Sequence, residues 1–143
     1  PGAFQVFGGG GTNTSNFFVL LRFPAAGTVN ISVQETLNGC VGNVNSASVT
    51  VATAPPANTI VGPLSVCKDE NGVVYQVGAP NPLSLYTWSV TGATVQGPSS
   101  GIGLSQITLN FSSAPGAIIS VTETSSSGCA GPDATVNVVL NDR

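Results

Sequence analysis

Apolar and polar residues alternate along this chain in short runs, each closed by glycine, proline, asparagine or serine. Alternation with period two places successive side chains on opposite faces of a strand, so each run reads as a strand with one buried face. Residues 1–11 read as a short strand entering a glycine-rich loop. Residues 16–23 put Phe17, Val19, Leu21 and Phe23 on one face, with Phe18, Leu20 and Arg22 on the other. Residues 29–35 turn Ile31 and Val33 inward, Asn38-Gly39 marks a turn, and residues 47–51 alternate again. Residues 60–67 are extended, but Pro63 demotes them to an edge or broken strand. Further strands are expected at 73–77, 83–90, 93–96, 106–111, 118–124 and 134–140, with 97–103 a loop.

One block occurs twice. IISVTETSSSGC ends at Cys129 and NISVQETLNGC ends at Cys40. The offset is 88 residues between Phe23 and Phe111 and between Val33 and Val121, and 89 between Cys40 and Cys129. A unit of this size is a domain with its own core rather than one turn of a solenoid. The expected organisation is the rear of one β-sandwich repeat over residues 1–53, a linker over 54–57 and a complete repeat over 58–143. The front strands of the first repeat would lie outside this window, or a neighbouring chain would donate them.

About seven short strands separated by turn signals within one repeat predict an antiparallel immunoglobulin-like β-sandwich. Its core is expected to hold Tyr75, Tyr86, Trp88, Phe111 and Val121, all on inward parity. Trp88 lies between Cys67 and Cys129, the Cys–Trp–Cys order of such sandwiches.

Composition narrows the class. Three basic residues stand against six acidic ones, for a net charge of −3. No basic patch is available to neutralise phosphates, so nucleic acid is not an expected partner. The longest apolar run, 17–21, is far below the roughly 20 residues of a spanning helix, and no membrane insertion is expected. Asn13, Asn30 and Asn110 begin N-x-[ST] triplets, whose use depends on the host.

The cysteine count is 3. Cys40 and Cys129 share a repeat position, so each is expected to have an equivalent partner. For Cys129 that partner is Cys67; for Cys40 it would lie outside the window. A Cys67–Cys129 bond would be worth roughly 4 kcal/mol and would imply an oxidising compartment.

VGPLSVC (61–67), VVYQV (73–77), YTWSVTGA (86–93), the strand ending at Phe111, and the ISVTE and GC pieces together resemble one family. It is the PKD-like repeat domain of large secreted surface proteins of Bacteroidota, many exported by the type IX system. The resemblance covers 57–140 as a full unit and 1–52 as the rear of one. It implies sandwich domains in tandem and a stalk, filament or adhesin role. No WDFGDG-like stretch of the better-known PKD pattern is present, and no catalytic residue comes with the resemblance.

Chemistry is sparse. The chain has no histidine, which removes Ser-His-Asp and Cys-His arrangements. Gly8 to Gly11 lacks the GK[ST] of a phosphate loop. Asp69, Glu70 and Asn71 could ligate calcium but read more simply as a solvated turn. No cofactor, metal or catalytic residue is therefore expected. Glu35 and Glu123 share a repeat position and are expected to bond backbone or hydroxyl groups at strand ends. Phe18 and Leu20 replace Gln106 and Thr108 of the second copy, and Phe4 and Phe7 replace Thr94 and Gly97. These four are expected to form an interface with a neighbouring repeat or identical chain.

The expected function is a non-enzymatic structural repeat at the bacterial cell surface. The alternatives are a polysaccharide-binding module, for which Tyr86 and Trp88 are the candidate platform, and a spacer domain of a secreted hydrolase.

Overall fold

The computed structural model describes residues 18–142 in full and the backbone of residues 5–9. Two compact units divide the chain, Pro1–Thr53 and Ala54–Arg143. All regular structure among the described residues is strand.

The first unit holds β1 (Gln5–Gly9), β2 (Val19–Arg22), β3 (Gly27–Leu37) and β4 (Cys40–Val51). β1 pairs with β2, and β3 with β4, both antiparallel. Asn38 and Gly39 join β3 to β4 with φ values of 51° and 82°. Two positive φ angles match the right-handed twist of a two-residue hairpin, which is why Asn-Gly stands there. β4 begins directly after this turn, seven residues before the expected strand at 47. Gly42, Asn43, Asn45 and Ser46 have poor strand propensity, and pairing with β3 overrides it.

The second unit is the sandwich. It holds β5 (Ile60–Val61), β6 (Ser65–Cys67), β7 (Val73–Val77), β8 (Leu85–Thr91), β9 (Ala93–Gln96), β10 (Ser100–Ile102), β11 (Gln106–Phe111), β12 (Gly116–Thr124) and β13 (Ala134–Asn141). One sheet runs β10-β8-β12-β13-β6 and the other β5-β7-β11-β9. Pro63 splits the expected strand at 60–67 into β5 and β6, which lie in different sheets. All pairings are antiparallel except β6 with β13, which is parallel. β10 lies within the expected loop at 97–103.

Inward side chains from both sheets build the core. Tyr75 and Val77 come from β7, and Ile107, Leu109 and Phe111 from β11. Opposite them stand Tyr86 and Trp88 of β8, Ala117, Ile119 and Val121 of β12, and Val138 and Leu140 of β13. The Tyr75 and Phe111 rings are tilted at 60° with centroids 6.2 Å apart, within the range aromatic pairs favour. Segment 54–57, expected as a linker, falls within this unit, with the Pro55 carbonyl close against Gly131; Asn58, at the start of the expected repeat, bonds Glu123.

The hairpins β3–β4 and β12–β13 have the same register. Thr28↔Thr50 corresponds to Gly116↔Val139, Asn30↔Ser48 to Ile118↔Asn137, and Val33↔Asn45 to Val121↔Ala134. Strand by strand, these are the offsets of 88 and 89 found in the sequence.

Candidate interaction surfaces

The outer face of the five-stranded sheet mixes hydroxyl and amide side chains, among them Thr87, Ser89, Ser120, Thr122, Thr135 and Asn137, with the exposed apolar residues Ile102, Ile118 and Val139. Thr87 pairs with Ser100 at 3.0 Å and Ser120 with Thr135 at 3.1 Å. Thr122 donates to the Asp133 carboxylate, and the Asn141 amide donates to Ser65 Oγ at 2.6 Å. Lys68 and Asp142 make an ion pair at 2.6 Å; Asp142 is exposed, so the pair contributes little.

Glu123 is buried, and its position is set by strand parity, opposite Tyr86 of β8. The Asn58 amide donates to its Oε2 at 2.9 Å. The Tyr86 hydroxyl accepts the Asn81 N–H at 2.7 Å. Burial pushes the Tyr86 phenol above its ordinary value, the Asn81 N–H opposes this, and the Glu123 carboxylate adds to the rise. The cluster ties residue 58 and the loop at 81 to the end of the core. That is a structural use of the carboxylate, because a buried charge without such partners is costly.

The aromatic groups face inward. Trp88 donates its indole N–H to the Leu104 carbonyl at 2.9 Å, and Tyr75 donates to the Pro63 carbonyl at 2.6 Å. Tyr75, Tyr86, Trp88, Phe111 and Val121 are all buried. Tyr86 and Trp88 therefore present no face on which a sugar ring could stack. In the turn after β6, Asp69 has φ 59°, and its carbonyl accepts from the Asn71 amide. Among the described residues no three His, Cys, Asp or Glu side chains gather around a possible metal position.

A two-sheet sandwich with a buried tryptophan and a parallel closing strand occupies the second unit. Over the same stretch, residues 52–138 match a family model described as a PKD-like domain. The chain belongs to the PKD-like domain family. No curated protein matches it at a significant level.

In the PKD-like unit the expected Cys67–Cys129 disulfide is corrected: no bond joins the two. Cys67 ends β6, beside Asn141 at the far end of β13, whereas Cys129 lies in the turn before β13 begins. β13 has 8 residues, so its ends are roughly 23 Å apart. A disulfide needs Cα atoms within about 7 Å. Cys40, the equivalent of Cys129 by sequence, is exposed.

Outside the PKD-like unit, Phe18 is 63% exposed and Leu20 51%. Both are available on the surface of the single chain. Phe4 and the Phe7 side chain lie outside the described residues. The largest departure from expectation is Val33. Its parity faces inward, as Val121 does, yet Val33 is 66% exposed and Val121 is 0%. Glu35 is likewise exposed where Glu123 is buried. Sequence reasoning missed this surface because parity shows which way a side chain points, not whether anything covers it.

Proposed function

We propose that this chain is a non-enzymatic structural repeat of an extracellular filament, stalk or adhesin at a bacterial cell surface. The observation that carries the reading is the shared register of the hairpins β3–β4 and β12–β13. One sequence block builds the same hairpin twice, which favours tandem sandwiches. PKD-like domains are commonly extracellular, and the resemblance noted above adds a Bacteroidota surface protein exported by the type IX system. The outer sheet, with hydroxyls beside exposed Ile102, Ile118 and Val139 and few charges, suits lateral contact with neighbouring repeats or identical chains, because little charge has to be desolvated. Phe18 and Leu20 are the anchors proposed for such a contact. No nucleic acid, cofactor or metal enters the proposal.

The test is made on native cells. An antibody raised against residues 54–143 should label intact cells as strongly as permeabilised ones. Electron microscopy of the extracted material should show filaments or strings of beads. Labelling confined to permeabilised cells would overturn the extracellular placement.

A further inference from the structure

Asn-Gly occurs twice in this chain, at 38–39 and at 71–72. The backbone nitrogen that follows an asparagine can attack the side-chain carboxamide, and glycine leaves that nitrogen unshielded because it has no Cβ. Both pairs lie on the surface, so exposure does not distinguish them. Their hydrogen bonds do.

At 71–72 both reacting groups are held. The Gly72 N–H donates to Asn110 Oδ1 at 3.0 Å, and the Asn71 amide donates to the Asp69 carbonyl at 3.2 Å. Asn110 is itself fixed. Its Oδ1 also accepts from Gln96 Nε2 at 2.5 Å, and its backbone pairs with Thr94 of β9. Attack by the Gly72 nitrogen has to break these bonds first.

At 38–39 the pair is the whole loop between β3 and β4, with Leu37 paired to Cys40 across it. Among the described residues no hydrogen bond occupies the Gly39 N–H or the Asn38 carboxamide. A Cβ placed at Gly39 would meet nothing within 4 Å. Leu37, Asn38, Gly39 and Cys40 are all exposed, so the tip opens without uncovering buried apolar surface.

We propose that Asn38 is a self-modification site, where the chain converts its own asparagine to aspartate and isoaspartate, while Asn71 is protected. The Gly39 nitrogen loses its proton to solvent base and bonds to Asn38 Cγ. The Cγ–Nδ2 bond breaks, and the amide nitrogen takes up a proton and leaves as ammonia. Water then opens the cyclic imide. Opening at the side-chain carbonyl gives aspartate; opening at the main-chain carbonyl gives isoaspartate. Water is the only co-reactant, and nothing is oxidised or reduced. Either product adds a negative charge to a chain of net charge −3. Isoaspartate also adds a backbone atom to a loop whose length and positive φ angles fit the hairpin twist. The conversion therefore loosens the tip of β3–β4. It requires nothing of the extracellular placement, so the two can fail separately.

The whole chain is kept in mildly alkaline buffer, and samples taken over time are digested and mapped by mass spectrometry. Synthetic peptides carrying aspartate or isoaspartate serve as chromatographic standards. In the folded chain Asn38 should convert at least roughly tenfold faster than Asn71, the factor that releasing one ordinary hydrogen bond sets. In concentrated urea the two rates should converge. Asn110→Ala removes the acceptor of the Gly72 N–H and should raise the Asn71 rate by about the same factor, leaving Asn38 unchanged. Should that variant not fold, the comparison of buffer with urea decides alone. Equal rates in the folded chain, faster conversion at Asn71, or a gap that survives urea would overturn the proposal. So would an Asn38 that converts in urea and stays intact in the folded chain, or a folded Asn110→Ala variant with Asn71 as slow as before.

Discussion

Ile118 and Ile119 are adjacent on β12 and face opposite ways, which makes them a controlled pair. Ile119 is 0% exposed and Ile118 is 48%. Ile119 sits between Val90 of β8 and Val136 of β13. Replacing it by alanine removes three buried carbons, about 2.4 kcal/mol at 0.8 each. The space left behind adds about 1 kcal/mol. Ile119→Ala should therefore cost about 3.5 kcal/mol, or roughly 15–25 °C in Tm for a unit of this size. Ile118→Ala removes the same atoms from a half-exposed site with no cavity, about 1.2 kcal/mol and roughly 5–10 °C. Trp88, the only tryptophan, is buried in the same core, so its emission reports the transition of this unit directly. Ile119→Val, at about 1 kcal/mol, gives a point that folds if the alanine variant does not. Equal losses for Ile118→Ala and Ile119→Ala would refute the one-buried-face account of β12.

Alkaline pH should destabilise the sandwich. Burial raises the phenols of Tyr75 and Tyr86 above 10.0, so the unfolded chain loses those protons first. Their stability contribution is full below pH 10 and is lost as pH rises through the folded-state values. Urea midpoints should fall above pH 10, and less steeply in Tyr86→Phe. Gly62→Ala should cost about 1–3 kcal/mol, because a Cβ there would overlap the Tyr75 ring; an unchanged urea midpoint would contradict that packing. Dithiothreitol should leave the Trp88 transition in place. A fall of roughly 15–30 °C would reveal a disulfide worth about 4 kcal/mol.

Much of the fold was legible because alternation survives in the strands that matter most. β7, β11, β12 and β13 carry apolar residues at every second position, Glu123 apart, and these build the core. The first half of β4 and all of β10 were not legible. Glycine, asparagine and serine say little locally, and a partner strand makes the decision. The cysteines misled for a related reason. Shared repeat position establishes equivalence between copies, but not the distance between Cys67 and Cys129, which depends on which strand closes the sheet. Glu123 could be read as a strand-end polar group, whereas its partner Asn58 could not. That contact joins residues 65 apart in sequence, and no local pattern shows that the opening of the repeat packs beside the end of β12.

The parallel pair β6–β13 joins the strand near the start of the sandwich unit to its last strand. Val139 N–H bonds the Leu64 carbonyl at 2.9 Å, and Lys68 N–H bonds the Asn141 carbonyl at 2.9 Å. Because the strands are parallel, pulling the unit by its two ends slides one along the other. The load falls on all the rungs of this ladder at once, as in a lap joint, instead of peeling them apart one at a time. Under tension along the chain, the joint is in shear.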